Sequence, residues 1–281
     1  MHKDSLAKRF AGMNIHYFRH DFARFLRDLA ELELTRVELW GGMPHLSADD
    51  VDAAEVARIR KQIEAHGLAL ICFTPEQCLY PINLASEHAR TRDRSLAYFT
   101  RSLEIAAELG APELLVTAGW SYADADPDPG WNRARDTLGQ LARRAETLGV
   151  GLLLEPLSLT ESNLITTADD LVRMRSEIAS PVVGAILDLN AMAAAGDTPQ
   201  DYLVRFGRDL RHVHVCDGTP EGHLAWGDGN LPMDDYLNAL LDGGYTGSFT
   251  FELVTQAYWL DPRSALERCV KAARALAGAR Q

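Results

Sequence analysis

One stretch predicts the fold: Gly151-Leu152-Leu153-Leu154-Glu155-Pro156-Leu157. It is apolar but too short for an ordinary helix, and its carboxylate is followed by a proline. Parallel strands that are covered on both faces are nearly continuous in apolar residues. The stretch therefore predicts a buried strand that carries one charged side chain at its C-terminal end.

Three later stretches repeat this design, each as a β-rich run with a metal-type ligand near its end. They are Val183-Gly184-Ala185-Ile186-Leu187-Asp188, Leu210-Arg211-His212-Val213-His214-Val215 and Ser248-Phe249-Thr250-Phe251-Glu252-Leu253. A lone buried carboxylate near a strand end is more often an ion-paired structural group than a functional one. The recurrence on four strands is what favours a site made of Glu155, Asp188, His214 and Glu252.

Strand-like and helix-like segments alternate along the whole chain. The first four strands are predicted at 10–17, 36–40, 68–74 and 113–120, and amphipathic helical patterns follow each of them. Eight such repeats without a linker-like tract predict an α/β chain with a single (β/α)8 TIM-barrel domain over 1–281. The competing doubly wound sheet would show a glycine-rich turn after strand one, which 10–15 lacks.

Composition limits the class of partner. The 281 residues carry a formal net charge of −12, which argues against nucleic acid or an acidic membrane as a partner. The four cysteines form no CxxC pair, which suits a reducing compartment. With no signal-peptide pattern at the start and no bilayer-length apolar run, we expect a cytoplasmic enzyme.

Side chains alternate along a strand, so residues two apart share a face. This parity places Glu252, His212, His214 and Cys216 toward the barrel interior and the phenylalanines of strand eight toward the helices. His212 lies deeper than His214, and we interpret it as a hydrogen-bonded core histidine that orients a ligand. The glutamates, the aspartate and His214 converge at the mouth, where TIM barrels carry their active sites.

Two glutamates, one aspartate and one histidine form a hard, oxygen-rich ligand set. Such a set suits an octahedral Mn²⁺, Co²⁺ or Mg²⁺, whereas zinc more often recruits extra histidine or cysteine. We expect one divalent ion, Mn²⁺ or Co²⁺, with Mg²⁺, Ni²⁺ and Zn²⁺ as alternatives. An ion held in this way chelates neighbouring carbonyl and hydroxyl oxygens of a sugar, and a carboxylate can then remove the acidified C–H beside the carbonyl.

Motifs along nearly the whole chain carry a family resemblance. They are Val37-Glu38-Leu39-Trp40-Gly41-Gly42, Phe73-Thr74-Pro75-Glu76, Leu154-Glu155-Pro156-Leu157 with Glu161-Ser162-Asn163, Leu210-Arg211-His212-Val213-His214, Gly227-Asp228-Gly229 with Pro232, and Phe251-Glu252-Leu253-Val254. The chain resembles the xylose-isomerase-like sugar isomerase and epimerase superfamily. It is most similar to the D-tagatose/D-psicose 3-epimerases and, closer still, to the fructoselysine 3-epimerases.

The resemblance implies a metal-dependent epimerase that inverts C3 of a ketose or a fructosamine through an enediolate. It makes Glu155, Asp188, His214 and Glu252 the metal ligands, and Glu155 and Glu252 also the acid/base pair on opposite faces of the substrate. It makes Glu161 a substrate contact. Ala191 stands where the free-ketose 3-epimerases have a histidine, and Pro220 where they have a substrate-binding arginine. These two departures weaken the case for a free ketohexose and leave room for a C1-substituted ketose.

Further substrate contacts are predicted at the loop mouths: His16, Trp120, His223 and Trp226. His16 is equally well explained as a loop histidine, and Trp120 and Trp226 as rim packing. The late loops show no glycine-rich anion nest or basic cluster, which favours an unphosphorylated sugar. Related barrels often pair, so a homo-oligomer stays open.

Other functions on the same barrel remain as alternatives. An aldose–ketose isomerase or a sugar (inosose-type) dehydratase would use the same ligands, and product mass separates the dehydratase. An apurinic endonuclease would need a histidine-richer multi-zinc site and a basic face. A non-catalytic sugar-binding barrel would bind its ligand without exchanging the C3 hydrogen.

Overall fold

A computed structural model describes residues 6–78, 81–219 and 222–280. Its eight parallel strands each pair with the next, and the last pairs with the first, so the sheet closes into the predicted barrel. The strands are β1 (Phe10–Met13), β2 (Arg36–Gly41), β3 (Ala69–Pro75), β4 (Glu113–Thr117), β5 (Gly151–Glu155), β6 (Val183–Asp188), β7 (Leu210–Val215) and β8 (Ser248–Phe251).

Helices cover the outside of this barrel. Those of the described ranges are α1 (Phe22–Glu31), α2 (Ala53–Ala65), α3 (Ala89–Leu109), α4 (Asp128–Leu148), α5 (Ala168–Ile178), α6 (Leu189–Ala195), α7 (Pro199–Phe206), α8 (Met233–Asp242) and α9 (Pro262–Ala279). None of them is both long enough and apolar enough to cross a bilayer.

The barrel strands alternate between two cores, as the parity argument predicts. Phe249 and Phe251 point outward and stack on Phe10, with ring centroids 5.0 and 5.3 Å apart, in the core between sheet and helices. Leu153 and Ile186 belong to a small separate cluster inside the barrel. They lie two residues before Glu155 and Asp188, so the inner cluster lies directly beneath the carboxylates.

Two strands are shorter than predicted. The first ends at Met13, and Ile15–Tyr17 form a 3-10 turn. The fourth ends at Thr117 rather than residue 120, because Gly119 has a φ of +78° and an added Cβ would collide with the Asn83 side chain. A left-handed glycine breaks the extended conformation at this position.

Helix boundaries follow local capping chemistry. Thr167 and Asp170 form the predicted capping box at the start of α5. After β6 the chain forms two helices instead of the single one expected, since Gly196 ends α6 in the left-handed conformation and Thr198 starts α7 with a second capping box. The barrel therefore departs from a strict one-strand, one-helix repeat beside Asp188.

Candidate active site

Four consecutive strands bring the predicted ligands together at the C-terminal end of the barrel. Glu155 ends β5, Asp188 ends β6, His214 lies in β7, and Glu252 follows β8. One candidate ligand atom from each lies within 4.8 Å of all the others. Since the strands are parallel and in register, four residues far apart in sequence share one small volume.

His214 lies at the centre of this cluster. Its Nδ1 is 3.0 Å from Glu155 Oε1 and 3.0 Å from Glu252 Oε2. Within the residues that the structure describes, this nitrogen makes no well-aligned hydrogen bond. Its Nε2 is 3.0 Å from Glu38 Oε1. An ionised carboxylate only accepts, so Nε2 carries a hydrogen toward Glu38, and Nδ1 is the nitrogen that can give up its proton and bind a cation among the carboxylates.

Glu38, on β2, is the buried partner that the sequence did not single out. Its oxygens accept from His212 Nε2 at 2.7 Å, His214 Nε2 at 3.0 Å and Thr74 Oγ1 at 2.5 Å. Burial raises the pKa of Glu38, but His214 and His212 outweigh it and hold that pKa well below the ordinary value. The predicted orienting role of His212 thus runs through Glu38. Two signals pointed to Glu38, its place in the 37–42 motif of the family resemblance and its position in an otherwise apolar strand.

The cluster combines several carboxylates with few positive charges. Burial raises the pKa of Glu155 to about 7. Burial also raises the pKa of Glu252, but His214 and His223 outweigh it and leave that pKa below its usual value. Among the residues placed in the structure, no lysine or arginine lies within ion-pair distance of Glu155, Asp188 or Glu252. The donor set and the unengaged Nδ1 of His214 fit a divalent cation.

Asp188 is held in place by its own helix. Oδ1 accepts the backbone N–H of Ala191 at 2.6 Å as the cap of α6, and Oδ2 accepts from Cys216 Sγ at 3.0 Å. Each oxygen keeps a lone pair, because a carboxylate can accept about four bonds in all. Capping therefore fixes the orientation of Asp188 without consuming its capacity as a ligand.

A cavity of about 140 Å³ opens above the cluster. Glu161, Ala191 and His223 line it together with Glu155, Asp188 and Glu252. His223 Nε2 lies 3.4 Å from Glu252 Oε2 and 3.8 Å from Asp188 Oδ2. Two of the predicted substrate contacts, Glu161 and His223, thus lie at the cavity.

Three predicted substrate contacts lie elsewhere in this structure. His16 is wholly buried against the Tyr17 ring, with 0% exposure, so it has no surface to offer a substrate. Trp226 packs on the outer core, and its backbone N–H donates to Cys269 Sγ. Trp120 lines a second, separate cavity of about 210 Å³. Pro220 falls outside the described residues.

The comparisons with known proteins identify the family of this chain. The model of a family described as "Xylose isomerase-like TIM barrel" matches residues 26–276. The chain belongs to this family.

Two relatives of this chain are named as sugar 3-epimerases. The chain is 31% identical over 252 residues to the fructoselysine 3-epimerase of Escherichia coli O157:H7, covering 89% of this chain and 91% of the relative. It is 26% identical over 251 residues to the D-psicose 3-epimerase of Agrobacterium fabrum, covering 86% and 83%. The protein is therefore an isomerase of the carbohydrate epimerase type.

A solved structure of a family member shares the barrel. It is a D-psicose 3-epimerase crystallised in the presence of D-fructose, which superimposes with a TM-score of 0.77 at 22% identity and covers 96% of both chains. At that identity the match shows the common fold.

Proposed function

We propose that this protein is a metal-dependent epimerase that inverts C3 of a ketose, and that its preferred substrates carry an amine substituent at C1, as fructosamines do. One observation carries the proposal: Nδ1 of His214 lies 3.0 Å from two glutamates on different strands, with Asp188 beside them. The fructoselysine 3-epimerase relative, at 31% identity, supports the reaction and the substrate class.

Glu155, Asp188, His214 and Glu252 would hold one divalent ion, for which we propose Mn²⁺ or Co²⁺. Bound there, the ion would supply Lewis-acid polarisation of the substrate carbonyl and would stabilise the negative charge that develops next to it. Glu38 keeps His214 in the tautomer that exposes Nδ1, since its carboxylate accepts the hydrogen on Nε2.

Glu155 and Glu252 are the acid and base of the proposed inversion. They approach His214 Nδ1 from strands on either side of it, β5 and the end of β8, at equal distances of 3.0 Å. One removes the C3 proton and the other delivers a proton to the opposite face. Their environments push their pKa values apart, to about 7 for Glu155 and below the usual value for Glu252.

The residues that line the catalytic cavity favour a ketose that is substituted at C1. Ala191 presents only a methyl group where the free-ketose epimerases are expected to present an imidazole, so this side of the cavity is less polar. His223 brings a nitrogen near the same carboxylates from the β7–α8 loop. About 140 Å³ holds the reacting end of a sugar but is small beside typical ligand pockets of roughly 300–1,000 Å³. The rest of a larger substrate therefore extends beyond this cavity.

Solvent-hydrogen exchange tests the proposal. The holoenzyme, loaded with Mn²⁺ or Co²⁺, is incubated in D₂O with D-fructose, D-psicose, D-tagatose and Nε-fructosyl-lysine. We expect deuterium at C3 and a C3-epimeric product of unchanged sugar skeleton, read by NMR and mass spectrometry.

Other outcomes identify the alternatives. An aldose product with deuterium at its C2, or at C1 of the recovered ketose, would indicate an aldose–ketose isomerase, and loss of 18 mass units would indicate a dehydratase. Ligand binding without exchange at any carbon would indicate a sugar-binding barrel. Any of these three outcomes would overturn the C3-epimerase proposal.

A further inference from the structure

A second cavity lies at the same end of the barrel, and the chemistry proposed above does not use it. This side cavity, of about 210 Å³, lies between the loops that follow β3 and β4. The side chains that matter for the argument are Ile82, Glu87, Trp120, Tyr122 and Arg133.

The side cavity and the catalytic cavity are lined by neighbouring loops that contact each other. Ser162 Oγ donates to the Gly119 carbonyl at 2.6 Å. Ser162 follows Glu161, which lines the catalytic cavity, and Gly119 precedes Trp120, which lines the side cavity. One hydrogen bond therefore links a loop that lines the catalytic cavity to a loop that lines the side cavity.

Arg133 gives the side cavity a cation without a carboxylate partner. Its Nε donates to the Ala85 carbonyl at 2.7 Å, which fixes the guanidinium at the cavity. Across the part of the chain that the structure describes, no acid lies within ion-pair distance of it. A fixed guanidinium fork matches a carboxylate bidentately.

The remaining lining suits an aliphatic chain that ends in an amino acid. The Trp120 and Tyr122 rings lie edge to face, 6.2 Å between centroids, and with Ile82 they present apolar surface. Tyr122 is 44% exposed, so this surface is open to a ligand. The carboxylate of Glu87 also lines the cavity, so an ammonium group would find an opposite charge there.

We infer that the side cavity binds the amino-acid end of an amine-linked ketose, with Arg133 on its carboxylate and Trp120 and Tyr122 along its aliphatic chain. The inference rests on the proposed function and names the part of the substrate that the catalytic cavity cannot hold. Arg133 is thereby a specificity-determining residue, while the sugar end reacts at Glu155 and Glu252.

Two changes, one in the enzyme and one in the substrate, test this assignment together. Arg133→Gln removes the guanidinium, and a fructosyl-cadaverine removes the lysine carboxylate. We expect Arg133→Gln to lower the ratio of kcat/KM for Nε-fructosyl-lysine to that for a free ketose about tenfold, through KM, as for a lost charged hydrogen bond. Wild type should show the same loss with fructosyl-cadaverine, and the variant should add nothing further. Arg133→Lys should recover part of the ratio.

Arg143→Gln is the matched control, because Arg143 is an exposed arginine of the same helix α4 and does not line the cavity. It should leave the ratio unchanged, and melting temperatures should show that every variant is folded. Equal losses for all substrates in Arg133→Gln, or no loss for fructosyl-lysine, would overturn the inference.

Calorimetric binding of Nε-fructosyl-lysine to wild type and Arg133→Gln separates this inference from the proposed function. If no substrate exchanges hydrogen but Nε-fructosyl-lysine still binds tenfold more weakly to the variant, the side-cavity assignment is supported and the epimerase proposal fails. If free ketoses exchange and no fructosamine binds, the epimerase chemistry stands and the side-cavity assignment fails.

Discussion

The two halves of the barrel mouth differ in the chemical groups at their strand ends. After β1 to β4, neutral amides join the loops: Asn14 donates to the Trp40 carbonyl and accepts from its N–H, and Gln77 accepts from the Thr117 N–H. After β5 to β8, the ends carry Glu155, Asp188 and Glu252.

The difference between amides and carboxylates determines which strand ends can still bind a cation or a substrate. An amide offers both a donor and an acceptor, so two loops can satisfy each other without outside help. A carboxylate only accepts, and a buried one needs a cation or several donors. The amide groups of the first half are therefore satisfied within the fold, whereas the carboxylates of the second half keep accepting capacity for a cation and a substrate.

The histidines show the same contrast. In the first half, burial lowers the pKa of His16 to about 3, and burial lowers the pKa of His45. In the second half, burial lowers the pKa of His214, but Glu252, Glu38 and Glu155 outweigh it and raise that pKa well above its ordinary value. Burial therefore disfavours a positive charge on His16 and His45, whereas the carboxylates around His214 favour one.

The largest expected effect is on the acid/base pair of the charged half. Glu155→Gln and Glu252→Gln should each lower the rate of C3 hydrogen exchange by about 10²–10⁴-fold, the range for loss of a general acid or base. The measurement is deuterium incorporation at saturating Mn²⁺, with bound metal quantified in each variant. Glu267→Gln, an exposed glutamate on α9, is the control. Wild-type exchange in either cluster variant would reassign the bases.

A substitution of Glu38 tests whether the ligand cluster at the ends of β5 to β8 depends on a residue of β2. Glu38→Gln removes the negative charge and one of the two acceptor oxygens that hold His212 and His214, so affinity for Mn²⁺ or Co²⁺ should fall about 10- to 100-fold. Titration of the metal, followed by the visible spectrum of Co²⁺, measures this without activity. Glu113→Gln, on β4 beside Arg211, should alter stability while affinity for the metal stays at the wild-type value. Equal metal affinities in Glu38→Gln and wild type would show that His214 is oriented by other contacts.

The smallest expected effect is that of His16 on the pH dependence of the free energy of unfolding. Its folded pKa of about 3 lies below the ordinary 6.5, so the unfolded chain binds the proton first. The free energy of unfolding should therefore decrease as pH falls below 6.5, by about 1.4 kcal/mol per pH unit from this residue. His16→Phe keeps a ring against Tyr17 and removes this dependence. Urea unfolding at pH 7 and pH 5.5 compares the two proteins, and identical pH dependence would mean that His16 is solvated or paired.

Much of the fold followed from local patterns. Four short apolar runs ending in ligand-type residues predicted strands five to eight, and parity predicted which side chains face inward. Both are properties of the extended backbone alone, so they hold wherever the strand lies. Strand ends were less well predicted, as at Gly119, because the chain after β4 turns there in the left-handed conformation and the next residue, Trp120, is hydrogen-bonded to Asn83 of another loop.

The sequence by itself determined the barrel and the identity of the candidate ligands, since both depend on periodicity and on residue type at strand ends. The tertiary structure alone decided the partners: Glu38 beneath His214, Arg133 beside Trp120, and His16 sealed away from the mouth. The residues of these two pairs lie 176 positions apart for Glu38 and His214, and 13 positions apart for Trp120 and Arg133. A contact across such separations is set by how the barrel closes, and no local pattern in the chain encodes it.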